Sequence, residues 1–151
     1  MDFQQQIAAE SDRFLSAVTQ ADPDARVPTC PEWTATDLFW HLTGVHAFWA
    51  GILRTSAQTD ADSEAVEAAA PARPETASGL AAAFSEHTGS LLAELAAHDD
   101  AEPAWFWLDT AKTVGSTRRM QAHEATIHRI DAETVAGLPV SPVEAELAAD
   151  G

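Results

Sequence analysis

Tyrosine is absent from this 151-residue chain, cysteine occurs once, and eight Lys and Arg residues face 24 Asp and Glu. Each shortage excludes something. A single Cys30 rules out an intramolecular disulfide and fits a reducing compartment. The formal net charge of -16 repels a phosphate backbone and removes the electrostatic attraction on which nucleic-acid binding rests. No run approaches the roughly 18 consecutive apolar residues of a membrane span. The N-terminus MDFQQQIAAESDR lacks the basic start and apolar run of a secretory signal. The expected location is therefore the cytoplasm, with neither membrane nor nucleic acid as a partner.

What is present favours helices. Hydrophobic residues make up 46% of the chain, alanine is abundant, and β-branched residues never alternate over a long stretch. The length suits one domain with one core, about 2–138, and a tail at 139–151. A first helix is expected over 2–20, with Phe3, Ile7, Phe14 and Val18 on one face. Pro23, Pro28 and Pro31 make 21–33 a structured, non-helical connection. Thr34-Ala35-Thr36-Asp37 resembles a capping box, with Asp in place of the usual Glu, and opens a second helix to about Ser56. Its inward stripe is Leu38, His41, Leu42, Val45, Trp49 and Ile52. Residues 57–74, rich in Ala, Asp and Glu with two prolines, read as a mobile linker. A third helix is expected over 76–98. A fourth spans 113–135 and stops at Gly137 and Pro139, and a short tail helix follows Ser141. Four helices of about 20 residues with long connections indicate an all-α, antiparallel four-helix bundle.

The chemistry concentrates in the fourth helix. MQAHEATIHRIDAETV places Glu124, His128 and Asp131 on the face shared by Met120, Ile127 and Val135, an apolar stripe by this reading. Burying an unpaired carboxylate or imidazole costs several kcal/mol, so a compensating group is needed. Glu124 and His128, four residues apart, converge on one point, and His41 on the second helix supplies a third donor. Two imidazoles and a carboxylate suit Zn²⁺ and also accept Ni²⁺, Fe²⁺ or Mn²⁺, and three protein ligands leave a coordination position open. His46 and His123 are rival ligands, better placed as pocket or supporting groups. Asp131 either orients a ligand imidazole or pairs with Arg129 or Arg118. Cys30 reads as a buried structural thiol. Trp105 and Trp107 precede the fourth helix and either pack or border an entrance where a substrate stacks. A satisfied hydrogen-bonded network without an ion is the competing explanation of the stripe.

Several segments are similar to a known family: Val27-Pro28-Thr29-Cys30-Pro31-Glu32-Trp33-Thr34, then Asp37-Leu38, then His41-Leu42-Thr43-Gly44-Val45-His46, and later Arg119 through Glu133. In this order they resemble the DinB-like metal-binding bundles, in the branch of the mycothiol-dependent maleylpyruvate isomerases, over Phe3 to about Leu138. The resemblance implies a divalent ion, usually zinc, held by a histidine of helix two and a Glu-x-x-x-His of helix four, which here are His41, Glu124 and His128. It implies mycothiol, the low-molecular-weight thiol of actinobacteria, as co-substrate. The metal-bound thiolate would attack a small-molecule electrophile in cis-trans isomerisation or S-transfer. Members commonly carry a second, smaller domain after the bundle, so 139–151 is either a tail or the start of one. A non-catalytic stress or ligand-binding module is the alternative, and monomer and homodimer are both compatible.

Overall fold

Local capping signals set most of the element boundaries in the computed structural model, which describes residues 1–151. Helix α1 (Phe3–Val18) begins where Asp2 accepts a hydrogen bond from the Gln5 amide. Strands β1 (Arg26–Val27) and β2 (Cys30–Thr34) form an antiparallel hairpin across the proline-rich connection. Helix α2 (Ala35–Arg54) follows directly. Its start carries the reciprocal bonds foreseen from Thr34 and Asp37: the Asp37 amide donates to the Thr34 hydroxyl at 3.1 Å, and the Thr34 amide to the Asp37 carboxylate at 3.0 Å. Helices α4 (Ala77–Ala97), α5 (Val114–Val135) and α6 (Ala145–Asp150) complete the expected set. Gly137, at φ +69, closes α5 with the Leu138 amide bonded back to the Glu133 carbonyl, a left-handed stop that glycine adopts without strain.

The segment 57–74 departs from expectation. It contains helix α3 (Asp60–Ala68), opened by a capping box between Thr59 and Asp62. The pattern Thr-x-x-Asp was legible, but the few apolar residues and flanking prolines masked it. The result is an all-α fold of the DinB-like bundle type with a small hairpin. No helix is long and apolar enough to cross a membrane.

The chain divides into two compact units. Met1–Leu42 with Gln121–Gly151 buries Ile7, Phe14, Val27, Leu38, Leu42 and Leu147. Within it Arg129 is fully buried, its Nε donating to Glu10 at 2.6 Å and its Nη1 to Glu133 at 2.9 Å and to the Ser141 carbonyl at 2.7 Å. That network clamps α5 to α1 and to the tail. Thr43–Met120 is centred on Ile52, Leu80, Phe84, Leu91 and Leu95. There Arg118 caps the end of α4 through the Leu95 and His98 carbonyls and pairs with Asp100.

The inward face of α5 is not the one anticipated. Ala122, Ala125, Arg129 and Ala132 are buried, whereas Ile127 is 55% exposed. At about 100° per residue Ile127 lies roughly 160° around the helix from Ala125. Glu124 and His128 fall between these extremes, at the border of the buried face.

Candidate metal centre

Three donors meet at that border. His41 Nε2 lies 3.7 Å from Glu124 Oε1, and His128 Nε2 lies 3.3 Å from the same oxygen. All three ligand atoms fall within 4.8 Å of one another. One ion bonded to nitrogen and oxygen at about 2.0–2.2 Å in tetrahedral geometry spaces its donors by roughly 3.3–3.5 Å. The two distances to Glu124 are close to that spacing, and closing the remaining spread of up to 4.8 Å takes a side-chain shift of about 1 Å; the donor set is one that divalent transition metals accept. Partial exposure, with the His41 side chain 34% accessible and Glu124 29%, leaves an approach from solvent.

Both imidazoles have a supporting neighbour. His128 Nδ1 donates to Asp131 Oδ2 at 3.0 Å, and the other Asp131 oxygen accepts from the Thr29 hydroxyl at 2.6 Å. The His41 ring packs against Trp33, with centroids 4.5 Å apart, and edge-on against His128 at 4.8 Å. Trp33 also lies 6.3 Å from His128, so an indole from β2 borders both imidazoles.

Electrostatics follow from the pairing. Hydrogen bonds from His128 and His41 depress Glu124 to about 2, against the opposing effect of burial. Burial disfavours charge on His128, yet its bonds to Asp131 and Glu124 outweigh that and raise it to about 9. Burial also works against the charge of Asp131, and the bonds from His128 and Thr29 overcome it, holding the carboxyl below its ordinary value. Without metal the site is thus an imidazolium between two carboxylates. A cation arriving there meets two anionic groups and displaces one proton.

The remaining predicted residues have other partners. His46 is buried, its Nδ1 2.8 Å from the Thr88 hydroxyl and its ring 5.5 Å from Phe84. His123 pairs with Asp150 of α6 at 2.7 Å. Asp131 bonds Thr29 and His128 rather than either arginine; Arg129 is engaged by Glu10 and Glu133 and Arg118 by Asp100. Trp105 donates its indole N–H to Asp60 at 2.8 Å and, with Trp107, packs around Trp49. Trp107 stacks on Phe106 at 4.1 Å and stays exposed. Cys30 is half-buried rather than enclosed. Trp33 and Thr29 escaped notice as site residues because nothing in a hairpin's sequence tells which helix it touches. Their place inside the Val27–Thr34 segment was the available signal.

The all-α bundle is of the DinB-like type. More specifically, the model of the mycothiol maleylpyruvate isomerase N-terminal domain matches residues 5–133, and the chain belongs to that family. No curated protein and no solved structure matched it.

Proposed function

We propose that His41, Glu124 and His128 bind one divalent cation, zinc by preference, and that the centre serves a mycothiol-dependent reaction on a small electrophile, of the isomerase or S-transferase type. The observation that carries this reading is the convergence of three ligand atoms within 4.8 Å in a chain of this family. When bound, such an ion supplies Lewis acidity that converts a coordinated thiol to its thiolate near neutral pH.

The chain's own residues prepare the position. Glu124 is ionised throughout the physiological range, so one anionic donor is always present. Asp131 takes the Nδ1 proton of His128 as a hydrogen bond, which in the neutral imidazole leaves the Nε2 lone pair on the side of Glu124. Trp33 packs on the His41 ring, which limits how far the imidazole can turn. Three protein ligands rather than four is the arrangement that leaves room for an exogenous sulfur.

The test is metal content and thiol response. Protein purified without a histidine tag should contain, or take up, one equivalent of zinc, and the cobalt-substituted form should change its visible spectrum when mycothiol is added. No stoichiometric uptake would overturn the metal centre. Uptake with no spectral response to thiol would favour a non-catalytic metal-binding module.

A further inference from the structure

We infer that Thr29, at the tip of the β1–β2 hairpin, is a positioning residue for the metal centre, acting through Asp131 on the orientation and tautomer of His128. The inference rests on the metal-binding reading above and extends it to the hairpin.

Thr29 is 102 residues from Asp131 in sequence, and its hydroxyl makes the shortest side-chain bond at the site, 2.6 Å to Asp131 Oδ1. Asp131 then has one oxygen on Thr29 and the other on His128 Nδ1. With both oxygens engaged, the carboxylate cannot rotate about its Cβ–Cγ bond without losing a partner. The imidazole is thereby fixed in the ring plane that points Nε2 at Glu124. Removing the hydroxyl would leave Oδ1 of a largely buried carboxylate short of a donor, and the group would turn towards water and release the ring.

The hairpin is itself built to hold that hydroxyl in place. Val27, immediately before Pro28, is fully buried and anchors one side of the turn, and Val27 pairs with Cys30 across it. Pro28 restricts the backbone entering Thr29. Around the base, the Arg26 guanidinium donates to the Glu32 carbonyl at 3.0 Å, the Ala35 amide to Ala25 at 2.9 Å, and the Thr36 hydroxyl to Pro23 at 2.9 Å. The same hairpin brings Trp33 against His41. One small element therefore contacts both histidines of the centre, directly at His41 and by relay at His128. A hairpin needed only to join α1 to α2 would not require a polar contact at its tip with a partly buried aspartate of α5.

The experiment compares wild type with Thr29→Val, which keeps shape and removes the hydroxyl, Thr29→Ala, Thr29→Ser and Asp131→Asn. Zinc affinity is read by competition with a chromophoric chelator, and the His128 tautomer by ¹⁵N NMR of the zinc-loaded protein, where the imidazole is neutral. Loss of an outer-sphere partner typically weakens metal binding by about 10–100-fold. Thr29→Val and Thr29→Ala are expected near the lower end, about tenfold, with loss of the protected His128 Nδ1 proton, and Thr29→Ser should restore both. Thermal melting of the metal-free forms separates this from hairpin docking, since a structural role would lower melting without moving the tautomer. Zinc affinity of Thr29→Val within twofold of wild type would overturn the relay and leave the metal centre standing. A weak Asp131→Asn beside a normal Thr29→Val would show that Asp131 holds the ring unaided, and also overturns it. Failure of wild type to bind zinc would overturn both readings.

Discussion

Replacing Arg129 by Met should be among the most damaging single changes in this protein. The guanidinium is fully buried, and removing it strands Glu10, 1% exposed, and Glu133, 6% exposed. Glu10 would keep only Arg13, 3.0 Å away on a half-exposed side chain, while Glu133 would keep the Ser141 amide and hydroxyl at 2.9 and 2.7 Å. Breaking a buried ion pair from one side costs about 3–5 kcal/mol, because the remaining charge loses its compensation. For a chain of this length each kcal/mol moves the melting temperature by about 2–4 °C, so the expected loss is about 6–20 °C. Urea unfolding followed by circular dichroism measures the free energy directly. The triple variant Glu10→Gln, Arg129→Met, Glu133→Gln should recover most of the loss, since neutral groups no longer need a counter-charge. Acid should also narrow the gap between wild type and Arg129→Met, because protonation relieves the stranded carboxylates. A cost below about 1 kcal/mol, or a triple variant no better than the single, would refute the view that this clamp holds α5 against α1.

Other outcomes follow from the same structure. Metal-free stability and zinc affinity should respond to alkali with opposite signs. The lowered Glu124 contributes stability above its ordinary 4.5 and loses it as pH falls towards about 2. The raised His128 contributes fully below 6.5 and loses it as pH climbs through about 9. Metal-free melting should therefore decline from pH 6.5 to 9, while zinc affinity rises over the same window because zinc must displace the His128 proton; calorimetry at several pH values checks both. Chelation at a zinc concentration of about 100 times Kd should remove about 2.7 kcal/mol of stability, visible as a lower melting temperature. His41→Ala and His128→Ala should each weaken zinc binding by more than the roughly 10–100-fold of an outer-sphere change. Ser56→Gly should stabilise the protein slightly, by up to about 1 kcal/mol, read as a higher melting temperature, since Ser56 sits at φ 53 after α2 where glycine carries no side-chain strain.

The legible parts of the fold were those written in local signals. Thr34 and Asp37 announced the start of α2 and Gly137 the end of α5, because caps depend on residues three or four apart. The helix over 60–68 was missed although Thr59 and Asp62 carry the same kind of signal; a low-hydrophobicity segment hid it. The phase of α5 was misjudged for a different reason. Its buried face is lined by Ala122, Ala125 and Ala132 around a charged Arg129, so the usual large apolar markers were absent, and Ile127 drew the reading towards solvent.

Glu124 and His128 could be nominated from spacing, because they share one helix turn, while His41 was preferred to His46 by its place on the apolar stripe of α2 and by the family resemblance. Long-range pairing could not be read in this way. That Thr29 reaches Asp131 across 102 residues, that Trp33 lies on His41, that His123 turns to Asp150 and that Arg129 is neutralised by Glu10 depend on which surfaces meet when the chain closes. Composition and periodicity determined an acidic, all-α chain with a candidate ligand set. Only tertiary structure decided which side chains stand behind those ligands, because a hydrogen bond between distant residues leaves no local trace in either partner's sequence.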